Sequence, residues 1–131
     1  MRECFTDPVG TNYTSLGAGQ PETKPVDDLI AEWTEFASGF GATQHLTGPL
    51  LVSGDHVQTH VTAHHWPRHR AGVVVHGHYI AQLAGGKIAE FTLHTFYVGG
   101  DPSLPTIPAQ RAVTALKPAH SPPNRPAVGR P

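Results

Sequence analysis

Residues His56–Trp66 alternate strictly between two sets of side chains. Val57, Thr59, Val61, Ala63 and His65 fall on one face at the period of a strand, and His56, Gln58, His60, Thr62 and His64 fall on the other. A helical period would scatter both sets, so this stretch must be extended chain with one face buried. The flanking residues agree. Gly54-Asp55 reads as a tight turn, Pro67–Gly72 as a polar loop, Val73–Leu83 as the next strand, and Gly85-Gly86 as a hairpin into a strand over Lys87–Val98. Gln44–Val52 reads as a strand before the turn, and Thr11–Leu16 as a short one further upstream.

Long antiparallel strands with one apolar face need a cover. Val26–Ser38 supplies one: Val26, Leu29, Ile30, Trp33 and Phe36/Ala37 recur at helical spacing. Pro25 suits a helix start, Asp27 and Asp28 suit the positive end of its dipole, and Gly39 is a natural stop. The fold class is therefore α+β, a curved antiparallel meander with a helix against it. A sheet this long usually curls around something, and one covering helix leaves the count of elements short by one.

Composition sets the limits. The 131 residues suit a single domain, and the formal charge of -1 gives no reason to expect nucleic acid or an anionic membrane as partner. The single cysteine, Cys4, excludes an internal disulfide framework and fits a reducing, cytoplasmic setting. No apolar run approaches a membrane span, and MRECFTDPV lacks the apolar core of a secretory signal. Eight of the thirteen prolines follow residue 100, where apolar periodicity stops. This divides the chain into a domain over residues 1–100 and a Pro-rich tail over 101–131 that reads as mostly disordered. Ala109–Leu116 is the stretch of that tail best able to fold back.

Four pieces in this order carry a resemblance: F-x-D-x-V at Phe5–Val9, T-Q-H-L at Thr43–Leu46, the turn at Gly54-Asp55, and G-x-Y at Gly77–Tyr79 running into the Gly85–Ala89 hairpin. Together they resemble the SnoaL-like domains of the nuclear transport factor 2-like superfamily, over residues 1–100. The resemblance implies a cone: a strongly bent sheet with helices across its open side, enclosing a pocket for a small apolar or cyclic molecule. It also implies a homodimer formed through the convex sheet face, where His56, Gln58 and His60 lie. Relatives open with a long helix bearing a Tyr and an Asp that face the pocket. Here the F-x-D motif begins at Phe5, so that helix is expected to be missing or truncated, through a start lying upstream or a shortened chain. The helix-borne acid is then not among the site residues.

The relatives include scytalone dehydratase, polyketide cyclases and ketosteroid isomerase relatives. Carried over by position, the resemblance implies His45 and His65 as a catalytic pair and Tyr13 as hydrogen-bond donor to a substrate carbonyl. His76 is implied, less directly, as a pocket position, and Trp33, Val61 and Ala63 are expected to line the cavity. The residues themselves support part of this. His65 shares a face with Val57, Val61 and Ala63, and a desolvated imidazole stays neutral and able to exchange a proton. A tyrosine hydroxyl suits charge developing on a carbonyl oxygen. The bland alternatives stand beside these: His65 as a satisfied core residue, His45 bonded to backbone, Tyr13 as packing, Trp33 and Trp66 as core. His76-x-His78 puts two imidazoles on one strand face, yet a metal site needs three or four ligands, so no metal is expected. No nucleophile elbow or phosphate-cradling loop occurs, and no cofactor is implied. Two functions follow: a SnoaL-like small-molecule-binding domain, or a cofactor-independent dehydratase, isomerase or cyclase acting on a cyclic or polyketide-like ketone.

Overall fold

The structure, a computed structural model, describes residues 1–17, 19–104 and 106. Ala109–Leu116 and most of the Pro-rich segment lie outside the described residues. The helix α1 spans Val26–Ser38, as the apolar stripe predicts, and buries Val26, Leu29 and Phe36. Seven strands make one mixed sheet: β1 Phe5–Asn12, β2 Glu22–Lys24, β3 Ala42–Thr47, β4 Leu51–Ser53, β5 His56–Trp66, β6 Val73–Ala84 and β7 Lys87–Gly100. Their order is β2-β1-β7-β6-β5-β3, with β4 beside β3 on the β5 edge. The α+β class is therefore as expected.

Strands β5, β6 and β7 are the predicted antiparallel meander, turned at Gly85-Gly86 by two residues of positive φ. The edge strand expected over Gln44–Val52 is broken into β3 and β4. Pro49 lacks the N–H that a continuous ladder needs. The link stays anchored because Gly48 N–H donates to His60 O at 3.0 Å and the Thr59 hydroxyl donates to Gly48 O at 2.9 Å. The short strand expected over Thr11–Leu16 lies earlier, as β1, while Thr14–Leu16 forms a 3₁₀ turn. Strand β1 runs parallel to β7, a long-range pairing that no local pattern announces.

The F-x-D-x-V motif has a structural job. Phe5 and Val9 join Val26 and Leu29 in a core between β1 and α1, with Trp33 and Ile88 packed against it. Asp7 between them accepts the Val26 N–H at 3.2 Å, satisfying a first-turn donor of α1. Arg2 bridges the same corner, bonded to Asp7 and Asp27. A second core holds Phe36, Phe40, Val73 and Leu104, so the chain packs on the domain past Gly100. A third, on the concave face of the sheet, holds Val61, Ala63, Val75 and Leu93. Among the described residues α1 is the one α-helix, Arg2–Cys4 form a 3₁₀ turn, and no helix is long and apolar enough to cross a membrane.

Candidate functional site

Helix α1 does not lie flat on the sheet. Between the two is a cavity of about 730 Å³. Its helix wall is Ile30, Trp33, Thr34, Phe36, Ala37 and Ser38, and its sheet wall is Thr43 and His45 of β3, Ala63 and His65 of β5, Val75 and Tyr79 of β6, and Phe91 and Leu93 of β7. Met1, Tyr13 and Thr106 complete it. Alternation selects the sheet residues. Each strand sends every second side chain inward, and the register sets His45 opposite Ala63, and Ala63 opposite Val75.

The sequence-derived pair converges. The rings of His45 and His65 meet edge to face at 5.3 Å. His65 is 3% exposed and is flanked by Phe36 at 5.2 Å and Phe40 at 5.1 Å. Burial, with smaller contributions from His45 and His64, pushes its pKa down to about 4. It is therefore neutral at physiological pH. Its Nδ1 is enclosed without a hydrogen-bond partner. A proton on that nitrogen would be a buried, unmatched donor, so the ring proton belongs on Nε2.

Burial likewise lowers the pKa of His45. Its Nδ1 lies 2.8 Å from the Tyr79 hydroxyl. An imidazole nitrogen accepts better than a phenol oxygen, so Tyr79 donates and His45 carries its proton on Nε2. Across the cavity, Trp33 Nε1 donates to the Tyr13 hydroxyl at 2.9 Å, which leaves the Tyr13 O–H free to donate. Burial pushes both phenols up to about 12, so neither ionises near neutrality. Phe91 packs against Tyr13, Trp33 and Tyr79 and holds the three rings in one cluster. No Asp, Glu, Lys or Arg lines the cavity among the described residues.

Of the remaining expected site residues, Trp33 and Ala63 line the cavity. Two do not. Val61 is on the predicted face but fully buried, in the cluster that Tyr13, Leu16 and Tyr79 pack against. His76 is on the convex face, because its neighbours Val75 and Gly77 point inward; it hydrogen-bonds Thr62 at 3.2 Å and packs on Tyr97. Tyr79 is the residue that sequence reasoning missed. It shares the face of Val73 and Val75, and that alternation was the available signal. No group of three or more potential metal ligands gathers anywhere among the described residues.

No family model and no curated protein sequence matches the chain. Solved structures do. A protein of Kribbella flavida superposes with a TM-score of 0.64 at 23% identity, over 75% of this chain and 76% of its own. The fold is the nuclear transport factor 2-like cone. A candidate SnoaL-like polyketide cyclase of Jannaschia sp. CCS1 gives 0.58 at 19%, over 72% of this chain and 68% of its own. A candidate scytalone dehydratase of Novosphingobium aromaticivorans gives 0.59 at 18%, over 75% and 70%. The cone here is open, with a non-closed sheet and one α-helix among the described residues.

Proposed function

We propose that this chain is a SnoaL-like binding domain that takes an uncharged, largely apolar, ring-bearing molecule into the cavity beneath α1. One observation carries the reading. The cavity is walled by aromatic and aliphatic side chains, and every ionisable side chain that lines it is neutral near pH 7. A charged ligand would lose its hydration there with no charged side chain to replace it. An apolar ring with a carbonyl or ether oxygen would meet Tyr13 O–H and His45 Nε2–H as donors. The domain works as a homodimer without a cofactor, in the cytoplasm.

The test uses Trp33, which lines the cavity, in a Trp66→Phe background that leaves it as the one tryptophan. Its fluorescence is titrated with 1-tetralone and, separately, with 2-naphthoate. Saturable quenching is expected with the ketone, at an affinity at least about tenfold above that of the carboxylate. Equal affinity for both, or no response to either, overturns the reading.

A second reading is supported by the Tyr79–His45 pair and the orphaned His65 nitrogen, and by the candidate cyclase and dehydratase among the structural neighbours. Here His65 and His45 exchange protons with a cyclic or polyketide-like ketone while Tyr13 polarises its carbonyl, giving a dehydratase, isomerase or cyclase. The low basicity of His65 favours binding over this chemistry. Deuterium exchange α to the tetralone carbonyl, followed by NMR in D₂O, separates the two. Exchange faster than buffer with the wild type and lost in His65→Leu selects catalysis.

A further inference from the structure

Two hydrogen-bonded pairs stand in opposite walls of the cavity, and each leaves its polar end turned the same way. We infer, on the binding reading above, that Tyr79 makes this cavity take a ring carbonyl and reject the hydroxyl of the same ring.

Tyr79 stands on the inward face of β6, opposite Thr59 of β5 and Leu93 of β7. Its ring packs on Phe91 at 5.0 Å, and its hydroxyl reaches past β5 to His45 Nδ1 of β3 at 2.8 Å. The phenol has one hydrogen, committed to that nitrogen, and the neutral imidazole has one nitrogen lone pair, committed to that hydrogen. What remains of the pair is His45 Nε2–H, a donor. On the helix side Trp33 Nε1–H is committed to the Tyr13 oxygen at 2.9 Å, and what remains is Tyr13 O–H, again a donor. Both ring-nitrogen lone pairs of the site are closed, His45 Nδ1 by Tyr79 and His65 Nδ1 by enclosure. Thr34 and Ser38 donate their hydroxyl hydrogens to the helix oxygens of Ile30 and Glu35. Among the described lining side chains, then, no imidazole nitrogen or carboxylate oxygen is open to a ligand O–H.

This asymmetry separates two oxidation states of one ligand. A carbonyl oxygen meets either donor with lone pairs and brings no hydrogen of its own. A hydroxyl in the same place brings a hydrogen out of water to a wall whose strong acceptors are taken. Leaving a buried donor unmatched costs more than a typical hydrogen bond gains. Tyr79 is what closes the nearer acceptor. Without its hydroxyl, His45 Nδ1 faces the space that the hydroxyl occupied, and a ligand O–H can take the place of the phenol's. Tyr79 is therefore a positioning residue, acting on the ligand through His45.

Three probes built on one ring test this: 1-tetralone, 1-tetralol and 1-methoxytetralin. Each is titrated into the Trp66→Phe chain with Trp33 fluorescence as the readout, and into the same chain carrying Tyr79→Phe. Without the Tyr79 substitution, the ketone is expected to bind at least about fivefold more tightly than the alcohol. The methyl ether is bulkier than the alcohol and tetrahedral at the same carbon, but it has no O–H, and it is expected to bind more tightly than the alcohol. Tyr79→Phe is expected to cut the ketone-to-alcohol ratio by at least about threefold, through tighter alcohol binding. Saturable ketone binding with the alcohol inside fivefold overturns this inference and leaves the binding reading standing. No binding of any probe overturns both. An ether as weak as the alcohol also overturns it, because shape and not the hydrogen then decides. So does a ratio that Tyr79→Phe leaves unchanged, or lowers only by weakening the ketone.

Discussion

Replacing His65 with leucine should change how the protein responds to acid more than how stable it is at neutral pH. In the folded chain His65 takes up a proton only near pH 4, whereas the unfolded chain takes one near 6.5. The unfolded state binds more protons between those values, so stability falls as pH drops through that window and is level outside it. Two and a half pH units at ~1.4 kcal/mol each set a ceiling of ~3.4 kcal/mol. At pH 5 the same linkage gives ~2 kcal/mol, and water entering the cavity reduces this to roughly 1 kcal/mol. His65→Leu removes the titration together with the unpartnered Nδ1, so at pH 7.5 it should lie within about 1 kcal/mol of the wild type. Urea denaturation of both proteins at pH 7.5 and pH 5, at one protein concentration, gives the difference of differences. The convex-face histidines are present in both chains and cancel. Parallel loss of stability in wild type and variant would refute the assignment of acid sensitivity to His65.

Other perturbations follow from the same contacts. Tyr13→Phe removes the acceptor for the half-buried Trp33 Nε1–H, and should cost about 1 kcal/mol in thermal or urea unfolding and weaken tetralone binding. Leu29→Ala empties a fully buried position between α1 and β1, and an unfolding titration should show a loss of about 2–5 kcal/mol. Gly77→Ala would place its Cβ 2.4 Å from the backbone oxygen of His94, so β6 and β7 must separate; a loss above about 2 kcal/mol, or recovery only in insoluble form, is expected. Tyr79→Phe frees His45 Nδ1, and the ¹⁵N shifts of His45 should move from a single tautomer toward a mixture.

Much of this fold is legible in the chain because its strongest signals are local. The helix stripe marks Val26–Ser38, and the alternation of β5 marks which side chains are buried: Thr59, Val61, Ala63 and His65 are, while His56 and His60 are not. Two features were not legible, and a third was legible but misassigned. The parallel pairing of β1 with β7 joins residues about eighty positions apart, and no period within either strand reports it. The break at Gly48-Pro49 depends on which backbone groups the neighbouring strand demands. The choice of Tyr79 over His76 was readable from alternation, but the polar residue on the wrong face drew the assignment.

The cavity shows where sequence ends and tertiary structure begins. Alternation by itself put His65, Ala63 and Val61 on one face. It does not say which of these residues will be sealed and which will border a void. Curvature of the sheet and the stand-off of α1 decide that: Val61 is fully buried in the cluster that Tyr13, Leu16 and Tyr79 pack against, while His65, two inward positions further along, meets His45 at the cavity wall. The low pKa of His65, the tautomer of His45 and the free Tyr13 proton all arise from burial and neighbours that a one-dimensional pattern does not contain.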